Sequence, residues 1–501
     1  MDPLDLRNYL ATHEAQSGFS RWVIGQVWHL VHTQLSDTAI RRNEVEWITI
    51  DGPTTLDADD AVWCEYDEKT KLLRVYVSIT DVTEVIPQYT PIDLEAMIRS
   101  TTLYLHPVVI PMLPEAISNN LYSLNGKRKH IALTVQFDVN HAGNIVHSDI
   151  YESLLRVHKT YTYDTFHADT MNPDATYYRQ IQNLFRVVGL LNGNRWSNIW
   201  ARGIEEMWGQ KMQSWNKWRN VHEMIATLMV MANQIIASKL IASGDIGVFR
   251  QHLTQKERAF YSRLQGKHEW LWIYPPNGYT HFTSPLRRYA DMLVHRLLKA
   301  KKRGEPTPYN TQSLDVIMAH INKRILEVET ILHERKWADI VDRISRRSGG
   351  KPRVHELKEH LKRWAQSNQY YVIPQAIREC IIADISDDDS RTWQWAIGVI
   401  LLWNDYELKE ILFRKITQER RISSWSFLNI LSQTRLIIWE GKIFDFQEQV
   451  DADSCKATLN LPWGKTLSSQ KKTGKKWEIN TIRWHVRKAL MYKVFRHYME
   501  D

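Results

Sequence analysis

Four aspartates, Asp51, Asp57, Asp59 and Asp60, stand within ten residues in the segment Ile50-Asp-Gly-Pro-Thr-Thr-Leu-Asp-Ala-Asp-Asp-Ala61. A Gly-Pro turn follows the first of them and can fold it back against the last three. Two carboxylates ~4 Å apart repel by about 4 kcal/mol at an effective dielectric of ~20. Such a cluster must splay into water, take up protons or hold cations. Oxygen donors without Cys and with few His nearby favour Mg²⁺ or Mn²⁺ over zinc. Metals held there can activate water and stabilise the attacking and leaving oxygens of a phosphodiester. The plainer alternative is a solvated acidic turn or a calcium loop. An EF-hand fits poorly, because no glutamate stands at its twelfth position.

A second chemical cluster lies far downstream, in Tyr279-Thr-His-Phe-Thr-Ser-Pro-Leu-Arg-Arg-Tyr-Ala-Asp-Met-Leu-Val-His-Arg-Leu-Leu298. Ser284-Pro285 predicts a helix start, with Ser as cap and Pro at the first helical position. Arg287 and Arg288 then fall in the first turn, where free N–H groups and the helix dipole favour an anion. Asp291, four residues after Arg287, is placed to hold its guanidinium. A capped helix with surface arginines gives the same pattern.

At these residues the chain resembles the ribonuclease II/R (RNB) family. YTHFTSPLRRYADMLVHR is similar to the family's arginine signature, and ITIDGPTTLDADDA to its acidic signature. RSTTLYLHPVVIPMLPEAISNNLYSLN (99–125) is similar to a third block, and the likeness runs in family order over roughly residues 41–345. The resemblance implies a 3′→5′ exoribonuclease that threads single-stranded RNA into a buried site and releases nucleoside 5′-monophosphates by a two-metal mechanism. It implies that Asp51, Asp57, Asp59 and Asp60 bind metal and orient the attacking water, with Asp59 central. Arg287 would contact the scissile phosphate, with Arg288 beside it on the RNA. Tyr104 matches the tyrosine that stacks on the last nucleotide, and Tyr163 a second tyrosine near the site. Stacking tolerates any base, as a sequence-independent nuclease needs; spacing alone favours a core aromatic for either ring. His281 resembles the ribonuclease R version of the motif. One departure stands out: Ala226 and Thr227 occupy the place of acidic residues that usually precede the segment MVMAN (229–233). An RNB fold that has lost catalysis and serves as an RNA-binding or regulatory protein is the alternative.

The elements that must carry these groups show in the patterning. Residues 1–40 read as short helices, with Trp22, Val23, Val27, Trp28 and Val31 at helical spacing. VEWITI, AVWCEY and LLRVYVSIT alternate like strands, and 205–242 and 286–345 read as long helices. The expected fold is an α/β (α+β) catalytic domain at 41–347, a mixed sheet with surrounding helices. A Ser-Gly-Gly-Lys-Pro seam (348–352), a helical connector (353–420) and a small α+β module (421–501) follow. The forty residues before the catalytic domain are too few for the cold-shock barrels of typical family members, so a compact form is expected. In the last eighty residues an α-β-β-β-α order, with a hairpin over 455–470 turning at Gly464, is similar to a divergent double-stranded RNA-binding domain. Lys475 and Lys476 would meet duplex phosphates there. Segment 465–497 carries ten Lys/Arg against one acid, Glu478; a basic surface helix is the plainer reading.

Net charge is +8 and the pI about 9.1, which suits an anionic partner, here RNA. Three scattered cysteines (Cys64, Cys380, Cys455) form no zinc spacing and point to a reducing, cytoplasmic compartment. No signal peptide is visible, and the longest uninterrupted apolar run, Ala396 to Trp403, is far below the ~20 residues of a membrane span. Most of the 21 tryptophans, including Trp196, Trp200, Trp208, Trp215 and Trp218, are expected in the core.

Overall fold

The computed structural model describes residues 18–32, 45–105, 108–126, 128–192, 219–244, 246–251, 259–263, 278–350, 352–357 and 373–386, five strands between 436 and 472, and positions 2, 4–7, 360, 361, 407, 408 and 411. It divides into two units, Met1–Val328 and Glu329–Asp501.

In the first unit, β1 (Trp47–Asp51), β2 (Asp60–Asp67), β3 (Leu72–Thr80), β6 (Lys129–Val139) and β7 (Ile145–Thr162) close into a barrel. All neighbours are antiparallel except β1 and β7, which run parallel with Asp51 opposite Thr162. The three alternating segments therefore are strands, and the sheet is mixed as expected. The β2–β3 turn is held by Asp67, whose carboxylate accepts from the N–H groups of Lys69 and Thr70. At the β6–β7 turn Gly143 has φ +76°, and a Cβ there would lie 2.2 Å from the Leu190 carbonyl oxygen, so only glycine fits.

Strand alternation sorts the barrel into two faces. The Trp47 and Tyr76 rings meet edge-on at 6.2 Å, and Ser78, Thr134 and Ser153 share hydroxyl hydrogen bonds. The ring pair, on β1 and β3, and the 3.5 Å approach of the Ser78 hydroxyl to that of Ser153, on β3 and β7, join strands that are not neighbours, so this face is the barrel interior. The opposite face, with Val62, Cys64, Val75 and Val77, is apolar and buried. Helix α4 (Tyr178–Asn192) packs on β2 there, with the Arg186 guanidinium over the Tyr66 ring.

Helix α6 (Tyr289–Arg303) is buried from Tyr289 to Ala300 although it carries Asp291, His295, Arg296 and Lys299. Each of these has a partner. Arg296 donates to Asp93, to the Tyr309 hydroxyl and to the Ile86 carbonyl; Lys299 pairs with Asp81 and Glu84; His295 contacts Asp81 and the Phe282 carbonyl. Buried charges persist only when so paired. Asp93 lies on α2 (Pro91–Arg99), so this network ties α2 to α6.

Helix α5 (Arg219–Ala242) contains a stretch, Val221–Ala242, long and apolar enough to cross a membrane by length and composition. Most of it is buried inside the protein, with Val221, Met224, Leu228, Ala232 and Ile236 in the core. A helix apolar on all sides is what a central core position requires. The pattern escapes a search for uninterrupted apolar runs because Glu223, Asn233 and Gln234 break it.

The division between the units falls inside α7 (Thr311–Ser348), and Gly349, with φ +74°, ends that helix at the expected Ser-Gly-Gly seam. In the second unit α8 (Gln375–Ser386) buries Ile377, Cys380, Ile381 and Ile385, and its Asp384 accepts from the Val354 N–H. The C-terminal part holds a two-stranded sheet, β10 (Leu436–Trp439) with β11 (Lys442–Asp445). A three-stranded antiparallel sheet, β12 (Gln447–Asp451), β13 (Ser454–Asn460) and β14 (Thr466–Lys472), accompanies it. The expected hairpin is present, but strand β14 runs on through Lys471 and Lys472, and two more strands precede β12. The helices expected at 426–435 and beyond 472, the turn at Gly464, and Lys475 and Lys476 lie outside the described residues, as do Trp196, Trp200, Trp208, Trp215 and Trp218.

Candidate active site

Asp51 ends β1 and Asp60 begins the antiparallel β2, so the hairpin itself returns the acidic loop 52–59 to its starting point. The Thr55 N–H donates to the Gly52 carbonyl inside the loop. The far side is gripped by residues of the third sequence block. Ser123 Oγ accepts from the Ala58 N–H (3.1 Å) and donates to the Leu56 carbonyl (2.7 Å), and the Leu124 N–H donates to the Ala58 carbonyl. Those residues follow a π-helical turn, Ala116–Leu121. Sequence reasoning missed Ser123, although it sits in the quoted block as LYSLN.

The arginine loop departs from expectation. Helix α6 begins at Tyr289, with Arg288 as its extended N-cap residue, and Ser284 to Arg287 form a turn ahead of it. Ser284 is therefore not the helix cap, and Arg287 and Arg288 are not in the first turn. The reason is that the loop's groups are claimed elsewhere. The Leu286 N–H donates to Asp59 Oδ1 (2.9 Å), the Ser284 N–H to Asp291 (2.8 Å), and the Arg287 carbonyl accepts from Thr102 N–H and the Thr101 hydroxyl. Asp291 holds Arg288, at 2.8 Å, rather than Arg287. Asn233 of α5, a second residue sequence reasoning missed, accepts from the Phe282 N–H and donates to the Tyr279 hydroxyl. It fixes the approach to the loop. His281 is half-buried between Tyr261 and Tyr279, with Nδ1 2.5 Å from the Tyr261 hydroxyl.

These supports bring Arg287 to the aspartates. Its Nε lies 3.5 Å from Asp59 Oδ2, and its guanidinium donates to Ser284 Oγ while 43% of the side chain stays exposed. Asp59 is only 4% exposed. Burial drives its carboxyl well above the usual range, opposed by Arg287 and by the Leu286 N–H. Burial, then the charge of Asp57, pushes Asp51 up to about 6, and burial, then Asp51, pushes Asp60 up to about 7; Arg287 opposes both. The four aspartates and Arg287 therefore share one electrostatic neighbourhood.

Two aromatic walls complete it. Tyr104, on β4 (Leu103–Leu105), donates its hydroxyl to Asp57 Oδ2 at 2.7 Å with its side chain 45% exposed. Strand β5 (Val108–Ile110) braces it from behind. Tyr163 opens α3 (Tyr163–Thr170) under a Thr162–Thr165 capping box, directly beyond the Asp51–Thr162 pair. Burial and the charges of Asp51 and Asp60 push its phenol up to about 12, so it stays protonated. Its ring lies 3.9 Å from that of His222 on α5, a third neighbour sequence reasoning did not find. At the departure from the family pattern, the Thr227 hydroxyl is spent on the Glu223 carbonyl one turn earlier.

The donor set suits a hard divalent cation: four carboxylates, three of them pushed towards protonation, face one guanidinium. Among the described residues no three carboxylate, imidazole or thiolate groups converge on a single point as a finished coordination sphere. The backbone thus gathers the expected metal set Asp51, Asp57, Asp59 and Asp60 without closing it.

Comparison with known proteins bears on this geometry. The profile of the RNB domain matches residues 41–265 and 255–304, together more than half of the chain. Ribonuclease R 1 of Lactococcus lactis is 24% identical over 417 residues, covering 68% of this chain and 51% of the relative. Ribonuclease R of Thermotoga maritima is 26% identical over 359 residues, covering 58% and 50%. The chain thus spans about half the length of these curated relatives. In fold it is similar to Mycoplasma genitalium RNase R solved with ribose-methylated single-stranded RNA, with TM-score 0.54 and 20% identity over 69% of this chain and 65% of that one. The same enzyme solved with double-stranded RNA gives TM-score 0.53 and 20% identity over 67% and 73%.

Proposed function

Because this chain belongs to the RNB-domain family, we propose that it is a 3′→5′ exoribonuclease, hydrolysing RNA phosphodiesters to nucleoside 5′-monophosphates with divalent metal, Mg²⁺ or Mn²⁺. The observation that carries the reading is the meeting of Asp51, Asp57, Asp59 and Asp60 with Arg287, assembled from segments more than two hundred residues apart. Asp51, Asp57, Asp59 and Asp60 would hold the metals, in a two-metal arrangement. Bound there, they lower the pKa of water and offset charge on the attacking and leaving oxygens.

The chain's own residues do the rest. Asp59, fixed by the Leu286 N–H, keeps one oxygen towards Arg287. Arg287 has five donors, and its exposed portion can clasp the scissile phosphate as its charge develops. Arg288 is bound to Asp291, so it shapes the loop behind that contact. The Tyr104 ring offers a stacking face for the terminal base, while its hydroxyl is anchored to Asp57. Tyr163 keeps its phenolic proton beside Asp51 and can donate to RNA oxygen.

The proposal extends to the single-stranded 3′ end as primary substrate. The basic C-terminal module, with Lys475 and Lys476, is assigned to duplex regions. The buried free thiol of Cys64 suits a reducing cytoplasmic setting.

Incubating 5′-labelled RNA with the protein and Mg²⁺ tests the assignment. A ladder shortening from the 3′ end, blocked by a chelator or by a 3′-phosphate, is expected. Internal cuts, equal cleavage of DNA, or binding without shortening would each refute it. Lys475→Glu with Lys476→Glu should weaken binding to a duplex with a 3′ overhang more than turnover of a short single strand. Equal losses on both count against a duplex-binding tail.

A further inference from the structure

Helix α1 (Arg21–His32) precedes the residues matched by the RNB profile, and nothing in the site described so far uses it. It is anchored by one face: Val23 and Val27 are buried, and the Gln26 side-chain oxygen Oε1 accepts from the Ile92 N–H at the start of α2. Sequence periodicity groups Trp22 and Trp28 with those valines. In the structure both tryptophans point outward, 67% and 64% exposed.

At about 100° per residue, the outward half of α1 runs in order Trp28, Arg21, His32, Gly25, His29, Trp22. This is a basic strip with an indole at either margin. None of the twelve residues is acidic. The Arg21 guanidinium lies 5.1 Å from the Trp22 ring, and the His32 ring 4.4 Å from that of Trp28, so each indole already has a cationic or aromatic neighbour on one side. Among the described residues nothing stands within 4 Å of a Cβ built on Gly25, which leaves the helix surface open between them.

The face is joined to the hairpin that carries Tyr104. Arg99, at the end of α2, donates to the Gly18 carbonyl (2.6 Å) and the Pro111 carbonyl (3.1 Å), and its guanidinium stacks 4.1 Å from the Phe19 ring. Gly18 and Phe19 lead directly into α1, and Pro111 directly follows β5, the partner strand of Tyr104. One buried side chain therefore holds the entry of α1 to the base of the Tyr104 hairpin.

We infer that the outward face of α1 is a stacking platform for single-stranded RNA, holding the body of a strand whose 3′ end lies at Tyr104. Exposed indoles spaced along a helix face that carries Arg21 and no acid are what sequence-tolerant single-strand binding uses. Ile24 and Val31, exposed beside Trp28, add apolar surface for a base edge. The inference rests on the exoribonuclease reading only in taking RNA as the ligand.

The test compares wild type with a Trp22→Ala/Trp28→Ala double variant by fluorescence anisotropy under chelation, so that no cleavage occurs. Probes are an oligouridylate of about 5 nucleotides and one of about 30. The expected result is a loss of roughly tenfold or more in affinity for the long probe, with the short probe and thermal unfolding unchanged. Trp22→Phe/Trp28→Phe should restore most of the loss. Unchanged affinity for the long probe overturns the inference, as does an equal loss on both. A changed oligomeric state, or lost sedimentation with anionic vesicles, with RNA affinity intact overturns it in favour of a protein or lipid surface. If wild type binds the long probe in the expected way but never shortens RNA with Mg²⁺, the nuclease reading fails and the platform stands.

Discussion

Arg287 Nε lies 3.5 Å from Asp59 Oδ2, while the N–H of the residue before it, Leu286, donates to the other oxygen of that carboxylate. One loop thus grips the acidic site twice, once by backbone and once by charge. Asp59→Asn keeps an oxygen for the Leu286 N–H and removes only the charge. Cleavage should fall by at least ~100-fold with RNA affinity under chelation nearly unchanged. Arg287→Lys should lower kcat by about 10²–10³, because an ammonium cannot clasp a phosphate with two donors. Single-turnover kinetics beside anisotropy separates the two quantities; a rise in KM alone would refute the assigned role of Arg287.

Metal and proton should compete. Asp51 and Asp60 titrate upward, to about 6 and about 7, through burial first and then a neighbouring carboxylate, Asp57 for Asp51 and Asp51 for Asp60. Raised carboxyl values mean that the metal-free fold binds protons more tightly than the unfolded chain does. Its stability therefore declines as pH rises from about 4 through about 7. Melting in EDTA should show that decline, and millimolar Mg²⁺ at pH 8 should reverse it. Activity should fall as pH drops below about 7. A Tm at pH 8 indifferent to Mg²⁺ speaks against metal at these residues.

Tyr104 allows its two contacts to be separated. Tyr104→Phe removes the bond to Asp57 and keeps the ring, so affinity for a short 3′-ended oligonucleotide should change by less than about threefold. Tyr104→Ala removes the stacking face, worth about 1–3 kcal/mol. If both variants lose affinity equally, the hydroxyl rather than the ring carries the contact.

His130, on β6 inside the barrel, has no hydrogen-bond partner at either ring nitrogen, and burial pushes its pKa down to about 4. In the unfolded chain it titrates near 6.5. Its contribution is present above that value and is lost as pH falls from 6.5 towards 4, by up to about 3 kcal/mol. The loss should appear as a pH-dependent difference in urea-unfolding free energy between wild type and His130→Leu, in which the opposite trend of the site aspartates cancels.

Arg296 and Asp93 are buried partners that tie α6 to α2. Arg296→Met leaves the Asp93 charge without its guanidinium and should cost about 3–5 kcal/mol, read as a fall in denaturation midpoint. A loss below 1 kcal/mol would mean that Tyr289 and the Tyr89 N–H suffice for Asp93.

The amino-acid order alone determined three of the five barrel strands and the grouping of the four aspartates. Alternation writes β1, β2 and β3 openly, and Asp51 to Asp60 lie on one hairpin, so their meeting is local. Arg287 and Tyr104 were legible only as matches to separate signature blocks. Only tertiary structure decided what surrounds them. The start of α6 moved to Tyr289 because Asp59, Asp291 and Thr102 take the hydrogen bonds that a Ser284 cap would have organised. Ser123, His222 and Asn233 carry no local signature, since their partners are far away in sequence. Trp22 and Val23 share one periodic pattern, yet only Val23 is buried. A helix pattern specifies which residues share a face; which face the rest of the fold covers is a matter of long-range packing.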